Sequence, residues 1–177
     1  MSKGGNKMAG KYDHYIIEYD PKKFPNERRP VMAYMDDTLA KGSHFYLIHW
    51  VLPGFADNLG DFPYAGHPPH IHKDAELLFH IGTDPENPMD LGAEVIMYLG
   101  PELEEHHITR TCCIWIPPNF IHSPWKPIRI DRPWIFMEFN QGPVHTEKSY
   151  RQILPKEARE KIDWSRWPDD KYEEPDC

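Results

Sequence analysis

Three histidines and a glutamate fall within the stretch Gly66-His67-Pro68-Pro69-His70-Ile71-His72-Lys73-Asp74-Ala75-Glu76. In an extended segment every second side chain shares a face, so His70 and His72 point the same way. Glu76 joins them if no bulge intervenes. Two imidazoles and one carboxylate converging on a point form half of a mixed nitrogen–oxygen metal site. His67, beyond the two prolines, is expected at the rim, where it would meet substrate. His80 has the parity of Glu76 and reads either as a group orienting a ligand or as a hydrogen-bonded core histidine.

The missing partner lies about fifty residues on, in Pro117-Pro118-Asn119-Phe120-Ile121-His122. A proline-rich turn sets His122 at the start of a strand, and Asn119 suits the left-handed conformation such a turn needs. Three neutral imidazoles and a carboxylate fill four positions of an octahedral ion and leave two open. Iron(II), manganese(II) or nickel(II) fit such a donor set, and zinc is a further candidate.

On these residues the chain resembles the cupin superfamily, small jelly-roll β-barrels. Its first motif, a His-x-His pair, three spacers, a Glu and a Gly, is similar to His70-Ile71-His72, Glu76 and then Gly82. The second, Pro-x-Gly-x-x-His, is matched by Pro117, Asn119 in the glycine position, and His122. Tyr64, Thr111 and Lys126 stand where the motifs usually have Gly, Gly and Asn, and Gly82 comes one residue early; no ligand position is lost. The resemblance covers roughly residues 43–140. It implies a single mononuclear metal site made by His70, His72, Glu76 and His122, and a homodimer paired through edge strands.

The elements that must position these groups are mostly short strands. Nineteen prolines disfavour long helices. Aromatic and β-branched content predicts a first strand over 12–19, another over 31–35, and a clear one over 43–51. Further strands are expected over 75–81, 93–99, 106–116 (one long strand, or two short ones over 106–111 and 112–116), 122–125 and 134–139, separated by Gly/Pro turns. Both faces of 43–51 are apolar, so that strand is expected to be covered on both sides. Only 155–163 reads as a helix, with Ala158 and Ile162 on one face. The fold class is therefore all-β, a cupin-type jelly-roll barrel with a short C-terminal helix. The domain reading is a mobile tail over 1–11, one barrel over 12–167 and an acidic, solvated tail over 168–177.

His49 and Glu138 sit on strong strands among apolar neighbours, where an unpaired titratable group is costly. If the Glu138 face lines the cavity, Glu138 becomes a candidate general acid/base with a raised pKa; if it faces away, it pairs with an arginine at an interface. Tyr46, Trp50, Trp115, Trp125, Trp134 and Phe136 are read mainly as core, and Arg110, Arg129 and Arg132 as surface.

A net charge of −8 without a dense Lys/Arg cluster argues against nucleic acid or anionic membrane as partner. No apolar run reaches the roughly 20 residues that cross a bilayer, and no signal-peptide pattern opens the chain, so a cytoplasmic location is expected. Three cysteines, two adjacent, form no disulfide framework and read as small buried hydrophobes. The leading expectation is a metal-dependent enzyme acting on a small organic molecule, a dioxygenase first, since an open three-histidine, one-glutamate iron(II) site suits it. A decarboxylase, isomerase or lyase comes second, and a non-catalytic ligand-binding or sensor protein is the alternative from another class.

Overall fold

The computed structural model describes residues 10–23 and 28–173. Most of the tail expected over 1–11, the loop around Pro25, and the last residues of the acidic tail with Cys177 lie outside them.

Ten strands run in chain order: β1 (Val31–Met35), β2 (Phe45–Val51), β3 (His70–Ile71), β4 (Glu76–Ile81), β5 (Asp90–Leu99), β6 (Glu104–Arg110), β7 (Cys112–Ile116), β8 (His122–Ile130), β9 (Trp134–Asn140) and β10 (Lys148–Ser149). They form two five-stranded sheets, ordered β1-β2-β9-β4-β7 and β10-β3-β8-β5-β6. Every pairing between these strands is antiparallel. Setting β1 and β10 aside, the chain crosses between two four-stranded sheets again and again, which is the jelly-roll arrangement. The barrel is thus two facing sheets, not a ring of continuously hydrogen-bonded strands.

Inward-facing side chains from both sheets meet in one core that includes Val51, Leu78, Val95, Met97, Trp125, Trp134 and Phe136. Strand β8 is far longer than the short strand expected, because Pro124 and Pro127 sit at buried positions within it and β8 still pairs with β5 across two register shifts. Of the two readings of 106–116, one long strand or two short ones, the second holds: the stretch divides at Thr111 into β6 and β7, which belong to opposite sheets.

Several expectations fail for identifiable reasons. Residues 12–19 contain a single 3-10 turn, Asp13–Tyr15, and no strand. Tyr12, Tyr15 and Ile16 are all exposed, so composition had no buried face to act on. The helix α1 covers only Lys156–Arg159, with Ala158 alone in it buried. Trp115 and Cys113 are exposed rather than core. The chain beyond Trp167 is irregular but pinned: the Ser149 amide donates to Asp169 Oδ1, Glu147 pairs with Asp170, and the Tyr172 hydroxyl donates to Asn119. Among the described residues no helix is long and apolar enough to cross a membrane.

Candidate metal centre

His70 opens β3 and His122 opens β8, and the two residues are register partners in one sheet. The chain then leaves that sheet through residues 73–75 and enters β4 of the facing sheet at Glu76. His72 lies just after β3, before that crossing. The expected shared parity therefore survives, although no single strand carries all three residues. Asn119, at φ 59°, takes the left-handed conformation expected of it, and its amide donates to the His72 carbonyl. Gly66, at φ 114°, brings the backbone so close to β8 that a Cβ there would meet the Trp125 carbonyl at 2.3 Å. This contact sets the start of the histidine stretch.

All four residues are buried. His70 Nε2 and His72 Nε2 are 3.2 Å apart. Glu76 reaches His72 Nε2 at 3.4 Å and His122 Nε2 at 3.1 Å. Each Nδ1 faces a backbone carbonyl: Pro68 for His70 at 2.8 Å, Thr146 for His72, and Phe120 for His122 at 3.0 Å. Donation by Nδ1–H leaves the Nε2 lone pair turned inward, the tautomer a metal needs. Lone pairs facing one another at 3.2 Å repel, and a cation between them removes the repulsion. Asn140 Nδ2 donates to Glu76 Oε1 at 3.2 Å, orienting the carboxylate. The donor set and its outer hydrogen bonds fit one divalent ion.

The electrostatics of the side chains alone divide the cluster: burial disfavours the His72 cation, but the adjacent Glu76 carboxylate prevails and raises the His72 pKa to about 9. Burial, joined by the neighbouring imidazoles, pushes the His70 pKa well down. Burial opposes ionisation of Glu76, yet His72 and His122 hold its carboxyl well below the usual range.

Two further triads converge around this centre, His67 with His70 and Glu147, and His72 with Glu76 and His145. His67 is where expected, on the wall of the opening. Its ring lies 4.3 Å from that of His70 and 4.2 Å from that of Trp167, and its Nε2 is 3.5 Å from Glu147. His80 is fully buried and accepts from Trp125 Nε1 at 3.0 Å, stacked beside Trp134. Burial lowers its pKa to about 3. It takes the core role rather than that of orienting a ligand.

Glu138 and His49 face the interior and line the opening, but in a different state from the one expected. Arg29 donates to Glu138 and, through Nε, to His49 Nε2 at 2.8 Å; His49 Nε2 is 3.4 Å from Glu138. The guanidinium also lies over the Trp125 ring at 5.5 Å. Burial favours the neutral acid, but the Arg29 charge prevails and lowers the Glu138 pKa to about 2. The expected raised pKa is thus corrected: the carboxylate both lines the cavity and pairs with an arginine. Burial, with Arg29 adding to it, lowers the His49 pKa to about 4, so this imidazole is neutral.

Arg29, His145, Glu147 and Trp167 are site residues that sequence reasoning missed. The alternation His145-Thr146-Glu147 is a weak signal for two of them; Arg29 and Trp167 carried none. Arg129 and Arg132 pair with surface acids, as expected.

The metal donors line a small cavity of about 40 Å³, with Arg29, His67, Glu138 and His145 on its outer side. These four also border a cavity of about 610 Å³, lined in addition by Lys23, Tyr34, Phe45, Trp167 and Lys171. A third cavity, of about 300 Å³, is lined by Arg28, Arg29, Lys161 and Arg166 with Phe55, Phe62 and Trp125.

No protein-family model and no curated protein matches the sequence. Among solved structures 67 chains match. One is a Bacillus subtilis oxalate decarboxylase described for its Mn(II) centres, at 17% identity and TM-score 0.47, covering 82% of this chain and 37% of that one. Another is the Lactobacillus farciminis oxalate decarboxylase formate complex, at 14% identity and TM-score 0.47, covering 77% and 40%. A third, the Bacillus subtilis enzyme at pH 4.6, has 18% identity and TM-score 0.44, covering 79% and 32%. The chain spans two fifths or less of each of these proteins.

Proposed function

We propose that this cupin-like jelly roll is a mononuclear metal-dependent enzyme acting on a small organic acid, with a dioxygenase-type reaction as the first reading. The observation that carries the metal half is the convergence of three Nε2 atoms and one carboxylate, with every Nδ1 turned to a backbone carbonyl. His70, His72, Glu76 and His122 would hold the ion, iron(II) by preference, with manganese(II), nickel(II) and zinc as alternatives. Bound there, the metal supplies a Lewis acid with open positions for substrate.

The chain's own groups support a substrate rather than a closed structural site. Cations outnumber acids at the openings of a chain whose net charge is −8: Lys23, Arg29 and Lys171 against Glu138 and Asp170 at the larger cavity, and Arg28, Arg29, Lys161 and Arg166 against Asp163 at the other. That lining suits a carboxylate, and the aromatic walls suit an apolar body. Glu138 stands beside the metal donors as a carboxylate paired with Arg29. Glu138 is held ionised and His49 neutral, so neither is a proton donor at pH 7. A decarboxylase or lyase acting here would take its proton from solvent. A small-molecule substrate, a cytoplasmic setting and a paired chain belong to the same reading.

The test is oxygen uptake by protein loaded anaerobically with iron(II), then mixed with a panel of small carboxylic and hydroxycarboxylic acids. Oxygen consumed in proportion to acid supports the proposal. Carbon dioxide released without oxygen uptake moves it to decarboxylation. Saturable binding without turnover moves it to a sensor.

A further inference from the structure

The outer faces of the two sheets differ in kind. On the second sheet Glu94 lies 2.7 Å from His107, His107 lies 2.8 Å from Glu105, and Arg129 stands opposite Glu94. Those groups are at home in water. The outer face of the first sheet carries no charge over three cross-strand rows. Alternation along β2, β4, β7 and β9 turns these residues away from the core. One row runs Met35, Tyr46, Phe139, Leu77, Trp115 across all five strands. The next runs Ala33, Ile48, Met137, Phe79, Cys113. Trp50, Ile135 and Ile81 form a shorter third. Trp115 is 60% exposed and Tyr46 37%, and the others are half-buried or exposed.

We propose that this face is where two copies of the chain pair, sheet against sheet, about a two-fold axis. Thirteen positions, at about 4.8 Å between strands and about 6.8 Å between rows, give roughly 420 Å² in projection. Side chains standing out of that plane, with the surrounding rim, bring it toward the roughly 800 Å² per partner of a specific interface. It also has the charge-free character of an interface core. The charge balance favours a second copy as the occupant. At a net −8 each, two copies repel through their charged faces and can meet across these three rows without opposing like charges. An anionic membrane would be met by lysines and arginines, which the three rows lack. A flat apolar grid is its own complement under two-fold rotation, and sheets pack face to face at about −30°. The proposed pairing runs through a face, where the resemblance implied pairing through edge strands.

Sedimentation velocity of the full chain from about 1 to 100 μM tests this. The wild type should sediment at twice the 20.9 kDa chain mass. Tyr46→Glu/Trp115→Glu, at positions already exposed, should sediment as a monomer with an unchanged circular dichroism spectrum. If that variant fails to fold, Trp115→Ser, which adds no charge, should still weaken the dimer at least about tenfold. Ile128→Glu, exposed on the other sheet, should leave it intact. A monomeric wild type, a dimer indifferent to Tyr46 and Trp115, or one dissociated by Ile128→Glu would overturn the proposal.

Discussion

Two buried polar clusters share the interior, and they solve the cost of burial in opposite ways. Arg29, Glu138 and His49 neutralise one another: a guanidinium, an ionised carboxylate and a neutral imidazole, each hydrogen-bonded within the group. His70, His72, Glu76 and His122 do not close their own account; their inner nitrogens face each other and only their outer ones are satisfied. The first cluster is complete as a set of side chains, and the second is complete only around a cation. Polar groups removed from water thus mark a self-contained ion pair in one place and a binding site in the other.

The strongest way to break that contrast is His72→Ala. It should lower affinity for iron(II) or manganese(II) by more than about a hundredfold while the far-ultraviolet spectrum of the barrel persists; unchanged metal content by isothermal titration would reject the ligand assignment. Glu138→Gln acts on the other cluster. It leaves Arg29 without its carboxylate and should cost about 2 kcal/mol in urea melts, less than a fully buried pair because both side chains are partly exposed. Metal content should not change. If it falls as far as in His72→Ala, the clusters are one unit.

Asn140→Ala should weaken the metal by about tenfold through loss of its hydrogen bond to Glu76. Acid sharpens the comparison further. The His49 pKa is lowered to about 4 and that of Glu138 to about 2. In both cases the unfolded chain binds protons first as pH falls. Stability should therefore drop from the ordinary histidine pKa of about 6.5 downward, then further below the ordinary glutamate pKa of about 4.5. His49→Gln should flatten the upper part of that decline in melting temperature and Glu138→Gln the lower. The smallest effect is expected from Trp125→Phe, which removes the bond to His80. It should cost about 1 kcal/mol and leave metal binding untouched; a change in metal content would restore His80 as a group that orients a ligand.

The metal ligands were legible because local rules determine them: a two-residue spacing for His70 and His72, preserved parity for Glu76, and a turn that aims His122. The strands around them were legible for the same reason. What sits over the metal was not. Arg29 meets Glu138 across 109 residues of chain, a distance closed only by the order β1-β2-β9. Trp167 comes from a stretch without periodicity and Glu147 from an alternation only three residues long, and they reach the opening because β10 pairs with β3. The strand expected over 12–19 failed by the reverse error. Tyr15, Ile16 and Ile17 have strand-like composition, but nothing packs on Tyr15 and Ile16 sufficiently to bury them. For Glu138 each of the two alternatives held in part, the cavity of one and the arginine of the other, because the sign of its shift depends on a partner that no local pattern identified.

The crossing over residues 73–75 has a mechanical consequence. His70 and His122 belong to one sheet and Glu76 to the other. An ion gripped by all of them would rivet the two layers together at one end of the sandwich, much as a disulfide does elsewhere. The spacing between the layers would then be a property of the ionic radius as much as of the packing. Exchanging one metal for another would retune the whole slab, and the openings above it, from a single bolt.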